Sequence, residues 1–155
     1  MSTRDGQQCS VERMGQPEVS LGYAGAKVAE SAKRKDIVLV VEDDALVRMN
    51  TADQIRDLGF TVLEAVDADQ AIALLESTPA ITVLFTDIQM PGSMDGLRLA
   101  AFVRDRWPPV ALLITSGQVS PHTADMPSGA HFIQKPYHPL QIGDQLRELT
   151  GPTPG

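Results

Sequence analysis

The stretch ITVLFTDIQMPG, residues 81–92, constrains this chain more than any other. A short apolar run rich in β-branched residues ends on a carboxylate, and a loop marked by Pro91 and Gly92 follows at once. Such a run with a breaker behind it reads as a fully buried strand of a parallel sheet. In open α/β sheets, the carboxyl edge of the strands is where helix connections leave and where ligands bind. Asp87 stands on that edge, as a functional carboxylate or as an ordinary helix cap or turn residue.

The rest of the chain repeats the pattern. IVLVV (37–41) is a buried strand, and Glu42, Asp43 and Asp44 follow its end. Residues 45–59 read as a helix with Leu46, Met49, Ile55 and Leu58 near one face and Gly59 as its stop. FTVLEA (60–65) is a second strand. Asp67 and Gln70 then stand at capping-box spacing before a second helix that runs to Ser77. Residues 95–107 form a third amphipathic helix, ended by Pro108 and Pro109. VALLI (110–114) is strand four and leads into Thr115, Ser116 and Gly117. In 118–129, Pro121 and Pro127 bracket a poor helix former, so the helix expected there is short, irregular or absent. AHFIQ (130–134) is strand five, with Lys135 and Pro136 after it. Pro139 suits the N1 position of a last helix over 140–149, before Gly151. Strands alternating with helices predict a parallel sheet covered by helices on both faces.

With 155 residues the chain holds one ordinary domain. That domain is placed at 37–151, with 1–36 a flexible extension, too poor in apolar surface to offset ordering entropy, and 152–155 a tail. Residues 37–155 carry seven Lys/Arg against fifteen Asp/Glu, a balance of −8. So acidic a body is a poor binder of nucleic-acid phosphates, and no direct DNA binding is expected. A lone cysteine, Cys9, suits a reducing compartment. Neither a membrane span nor a secretory signal is evident, which makes the cytoplasm the expected location.

Chemistry collects at the strand ends: Glu42, Asp43 and Asp44 after strand one, Asp87 after three, Thr115 and Ser116 after four, Lys135 after five. If strands one and three are neighbours, their carboxylates share a cleft and repel unless a cation sits among them. Oxygen ligands with room for water suit Mg²⁺. A lysine and a hydroxyl beside that ion offer a phosphoryl group a positive charge and a hydrogen-bond donor. An aspartate so placed can act as a nucleophile toward phosphorus and give an acyl phosphate. Each part alone has an ordinary explanation, since acidic clusters favour helix N-termini and a single lysine is usually solvated. Their joint appearance at successive strand ends makes the case.

The set VVEDD, TDIQMPG with MDG, LLITSG and FIQKPY resembles the receiver domain of two-component response regulators, over residues 37–150. The resemblance implies a flavodoxin-like, doubly wound (βα)5 fold with a five-stranded parallel sheet of order 2-1-3-4-5. It implies Asp87 as the phosphoacceptor and Glu42 and Asp43 as the acidic pair that, with Asp87 and the backbone carbonyl of Gln89, holds Mg²⁺. Thr115 matches the hydroxyl that turns toward the phosphoryl oxygens, and Lys135 the lysine that contacts them. Phe132 matches the aromatic whose burial follows phosphorylation, and Lys135–Pro136 a bond that is usually cis. Asp44 is left as a helix cap. The Pro-broken segment and Ser116, where the family often has Ala or Gly, are departures.

The implied function is that of a single-domain response regulator, since only a short tail follows the last helix. It would accept a phosphoryl group from a sensor histidine kinase or histidine phosphotransfer protein and signal to a downstream protein in a phosphorelay, as a monomer or weak dimer. It would catalyse only its own phosphorylation and dephosphorylation. An Asp-nucleophile, Mg²⁺-dependent phosphatase is the alternative, but it needs a second aspartate where Gln89 stands. A phosphorylation-independent interaction module would have no use for the intact set of Glu42, Asp43, Asp87, Thr115 and Lys135.

Overall fold

The computed structural model of the chain describes residues 36–117 and 125–151. The extension at 1–35, part of the Pro-broken segment and the tail at 152–155 lie outside the described residues. Among the described residues, five strands and four helices follow in order: β1 (Ile37–Val41), α1 (Ala45–Asp57), β2 (Thr61–Ala65), α2 (Ala68–Ser77), β3 (Ile81–Asp87), α3 (Gly96–Arg106), β4 (Ala111–Ser116), β5 (His131–Gln134) and α4 (Pro139–Thr150). Every strand pairing is parallel, and the order across the sheet is β2-β1-β3-β4-β5. This is the flavodoxin-like, doubly wound arrangement expected from the sequence. No described helix is long and apolar enough to cross a membrane.

The apolar runs are explained by burial on both sides. Along β1, Val38 and Val40 join a core beneath α1 and α4, with Phe85, Ile55, Ile142 and Leu146. Leu39 and Val41 face the other way and pack with Leu84, Ile114, Leu75, Leu99 and Val103 beneath α2 and α3. Each such side chain contributes about 1.5–3 kcal/mol on full burial, so neither face tolerates a polar alternation.

Two local expectations change. The apolar face assigned to α1 is corrected: Leu46 is 77% and Met49 54% exposed, whereas Thr51, Ala52 and Ile55 are buried. A residue three positions on falls about 60° short of a full turn, so three such steps carry Leu46 to the side opposite Ile55. At the start of α2, Asp67 accepts from the Gln70 amide at 2.9 Å, but the Gln70 side chain accepts from the Val66 amide at 2.8 Å rather than closing the box on Asp67. A reciprocal pair forms instead at α4. There His138 Nδ1 accepts from the Leu140 amide at 3.1 Å and Gln141 Oε1 from the His138 amide at 2.8 Å, with Pro139 in the first turn.

Between β4 and β5, residues 118–124 lie outside the described residues. The described remainder carries no α-helix; it turns through an Ala130 amide bonded to the Pro127 carbonyl at 3.1 Å, with Gly129 at φ +79°.

Candidate functional site

Strand order decides which strand ends meet. β1 and β3 are neighbours in register from Val38↔Val83 to Val41↔Thr86, so the residue after β1 and the last of β3 emerge side by side. β4 lies on the other flank of β3 and sets Thr115 opposite Asp87. β5 continues the row with Ile133 opposite Thr115, which places Lys135 just past the same edge.

Glu42, Asp43 and Asp87 each offer a carboxylate oxygen, and these oxygens lie within 4.8 Å of one another. Glu42 and Asp87 are buried, while Asp43 is exposed at the rim. Lys135 Nζ donates to Glu42 Oε1 at 2.9 Å and stands 3.3 Å from Asp87 Oδ2. Glu42 Oε2 also accepts from the Asp44 amide at 3.2 Å. Burial pushes the Glu42 carboxyl above its usual range, against the pull of Lys135 and the Asp44 amide. For Lys135 burial works the other way, but the bond to Glu42 and the nearby Asp87 charge outweigh it and raise its pKa. One lysine thus serves two carboxylates in a cluster of three.

The buried Asp87 Oδ1 and Thr115 Oγ1 have no hydrogen-bond partner among the described residues. Buried polar atoms are nearly always paired, so two such atoms on facing strand ends mark a place prepared for a guest. All donor atoms in the acidic cluster are hard oxygens, the kind that suits Mg²⁺ and its retained water. The residues present fit such an ion.

Other expected residues fall as follows. Asp44 caps α1, accepting from the Leu46 and Val47 amides at 3.0 and 3.1 Å. Gln89 lies in the loop after β3, beside a cavity of about 570 Å³ shared with Ile88, Met90, Pro91 and Asp95. Phe132 is half-buried on β5, paired with Ile114 and packed on the α2–α3 side of the core. The Lys135–Pro136 peptide is cis.

Sequence reading missed several supports. Arg48 donates to the Glu42 carbonyl at 3.0 Å and pairs with Glu64 at 3.2 Å, tying the acidic turn to β2. Gly96 opens α3 against the backbone of Asp87, its amide bonded to the Ile88 carbonyl at 2.8 Å; its place in the MDG triplet was the available signal. Tyr137 shares a hydrogen bond with Thr51 of α1 at 2.5 Å and meets Phe85 edge-on. An open groove of about 810 Å³ runs beside α1 to the strand edge, with Leu46, Met49, Pro136, Tyr137, Gly117 and Lys135 on its walls.

Comparison with known proteins agrees with this geometry. The response regulator protein FleR of Pseudomonas aeruginosa is 34% identical over 122 residues, 76% of this chain but 25% of that protein. The sensor kinase CckA of Brucella abortus is 29% identical over 116 residues, 72% of this chain and 12% of the kinase. The chain therefore spans about a quarter or less of the length of these curated relatives. Among solved structures, a response regulator receiver protein from Sinorhizobium medicae superposes with a TM-score of 0.71 at 23% identity, over 76% of this chain and 96% of that one. The family model of the response regulator receiver domain matches residues 38–147, and the chain belongs to that family.

Proposed function

We propose that the protein accepts a phosphoryl group on Asp87 from a phosphohistidine-bearing partner and passes the signal on through protein contacts. The observation that carries this reading is the buried, unpartnered Asp87 Oδ1, set between Lys135 and an acidic pair. In the transfer, Asp87 attacks phosphorus, the P–O bond forms as the donor's P–N bond breaks, and the departing imidazole takes a proton from water. Lys135 is placed to balance the negative charge of the phosphoryl oxygens, and the Thr115 hydroxyl to donate to one of them. Glu42, Asp43, Asp87 and the Gln89 carbonyl would hold Mg²⁺, which when bound neutralises charge on the phosphoryl oxygens.

The groove beside α1 is the seat for the partner. It ends at Lys135, and its exposed Leu46 and Met49 suit the apolar stripe of a helix carrying the phosphohistidine. The donor in this reading is a sensor histidine kinase or a histidine phosphotransfer protein, and the likeness to both a response regulator and a sensor kinase supports it.

Incubation with acetyl phosphate and Mg²⁺, followed by intact mass measurement, tests the reading. One phosphoryl mass, removable by hydroxylamine, is expected on the wild type and none on Asp87→Asn. Equal labelling of that variant would refute the assignment.

A further inference from the structure

Tyr137 stands two residues beyond Lys135 and is held at both ends. Its hydroxyl shares a 2.5 Å hydrogen bond with Thr51 Oγ1, from a residue 86 positions away in sequence. Its ring meets Phe85 edge-on with centroids 5.8 Å apart and planes at 69°. Phe85 is buried two residues before Asp87 on β3, and Thr51 is 3% exposed on the face of α1 that packs on the sheet. A threonine hydroxyl in such a contact costs free energy that an apolar residue would not, unless it is hydrogen-bonded. The Lys135 backbone is fixed on its other side by the hydrogen bond that its amide donates to the Ser116 carbonyl at 2.9 Å.

We propose that Thr51 and Tyr137 form a latch that positions Lys135, fixing the turn after β5 to α1 and to the strand bearing Asp87. The inference rests on the phosphoacceptor reading, in which Lys135 meets the phosphoryl oxygens. Tyr137 touches no reacting atom; it is a positioning residue. Because Tyr137 and Pro136 also wall the groove beside α1, a helix seated there presses directly on the turn that carries the lysine.

Beryllofluoride titration of the protein in saturating Mg²⁺ tests the latch, with Mg²⁺ affinity and melting temperature measured alongside. Tyr137→Phe and Thr51→Val should each weaken beryllofluoride binding about three- to tenfold, the scale of one lost hydrogen bond. Mg²⁺ affinity should change far less than beryllofluoride affinity, because the ligand side chains Glu42, Asp43 and Asp87 are untouched and only the contacts of Lys135 to Glu42 and Asp87 shift. Thr51→Ser, which keeps the hydroxyl, should bind beryllofluoride like the wild type. The double variant Thr51→Val/Tyr137→Phe removes both polar groups. It should recover melting temperature lost by the single variants while its beryllofluoride affinity stays low. Wild-type affinity in Tyr137→Phe, or recovery of affinity together with melting temperature in the double variant, would overturn the latch. If the wild type binds beryllofluoride and Asp87→Asn does not, such a result counts against the latch alone. If the wild type does not bind it, the phosphoacceptor reading falls and the latch with it.

Discussion

A Cβ added at Gly96 would lie 1.9 Å from the Asp87 carbonyl oxygen and 2.7 Å from its carbon. Both are backbone atoms, so no side chain can swing aside and the strand end must move. Overpacking of this kind costs about 1–3 kcal/mol. Gly96→Ala should therefore lower the melting temperature and also slow Asp87 labelling by acetyl phosphate, on the order of tenfold to a hundredfold, because a displaced nucleophile loses alignment. Gly59 is the control. Its φ is +102° with nothing within 4 Å of an added Cβ, so Gly59→Ala should cost about 1 kcal/mol in backbone strain and leave labelling at the wild-type rate. Asp43 gives a different residue-scale outcome. It is exposed, and its removal relieves repulsion within the carboxylate cluster. Mg²⁺ should raise the melting temperature of the wild type by mass action, and Asp43→Ala should abolish that rise while its metal-free melting temperature does not fall. A full Mg²⁺ response in the variant would place the metal elsewhere.

At the scale of elements, the legible features were those fixed by a strand end. Asp87, Thr115 and Lys135 stand at or just past the ends of apolar runs, and a run that must be buried marks where its edge falls. Helix rotation is harder to read, because it depends on which three or four side chains meet the sheet. α1 settles on Thr51, Ala52 and Ile55, where two smaller residues allow close approach and Thr51 is paired to Tyr137. A hydrophobicity reading favours Leu46 and Met49 over that set. The hydrogen bond that pairs Thr51 on this face joins residues too far apart for any local pattern to announce. The corrected rotation makes a direct prediction. Leu46→Lys and Met49→Lys should each change stability by no more than about 0.5 kcal/mol, as surface substitutions do. Ile55→Ala should cost about 2–5 kcal/mol, as a core truncation does. Chemical denaturation of the three variants distinguishes the two rotations, since a large loss at Leu46 or Met49 would restore the face read from the sequence.

Across the whole molecule, the sheet order makes the site a junction between two cores. Asp87 and Thr115 sit at the ends of β3 and β4, whose side chains alternate between the α1–α4 core and the α2–α3 core. β2 lies at the far edge, separated from β3 by β1. Phosphorylation adds roughly −1.5 to −2 charges and three strong acceptors at Asp87. Lys135 already reaches that carboxylate, but the Thr115 hydroxyl has no partner among the described residues and gains one by turning toward the new oxygens. The Thr115 carbonyl also accepts the Ile88 amide at 2.9 Å, so movement there is shared with the loop after β3. Phe132 is half-buried on β5 and paired with Ile114, the neighbour of Thr115 on β4. Within 125–130 the described residues carry a turn and no α-helix, and segments with few regular backbone bonds reorder for little free energy. Beryllofluoride with Mg²⁺ should therefore change amide exchange chiefly in 113–117 and 125–137, with β2 and α2 nearly silent. Thr115→Ala should still accept phosphate on Asp87 yet lose most of that exchange response. A response in β2 and α2 as large as that around Thr115, or normal switching in Thr115→Ala, would show that the signal leaves the site by another route.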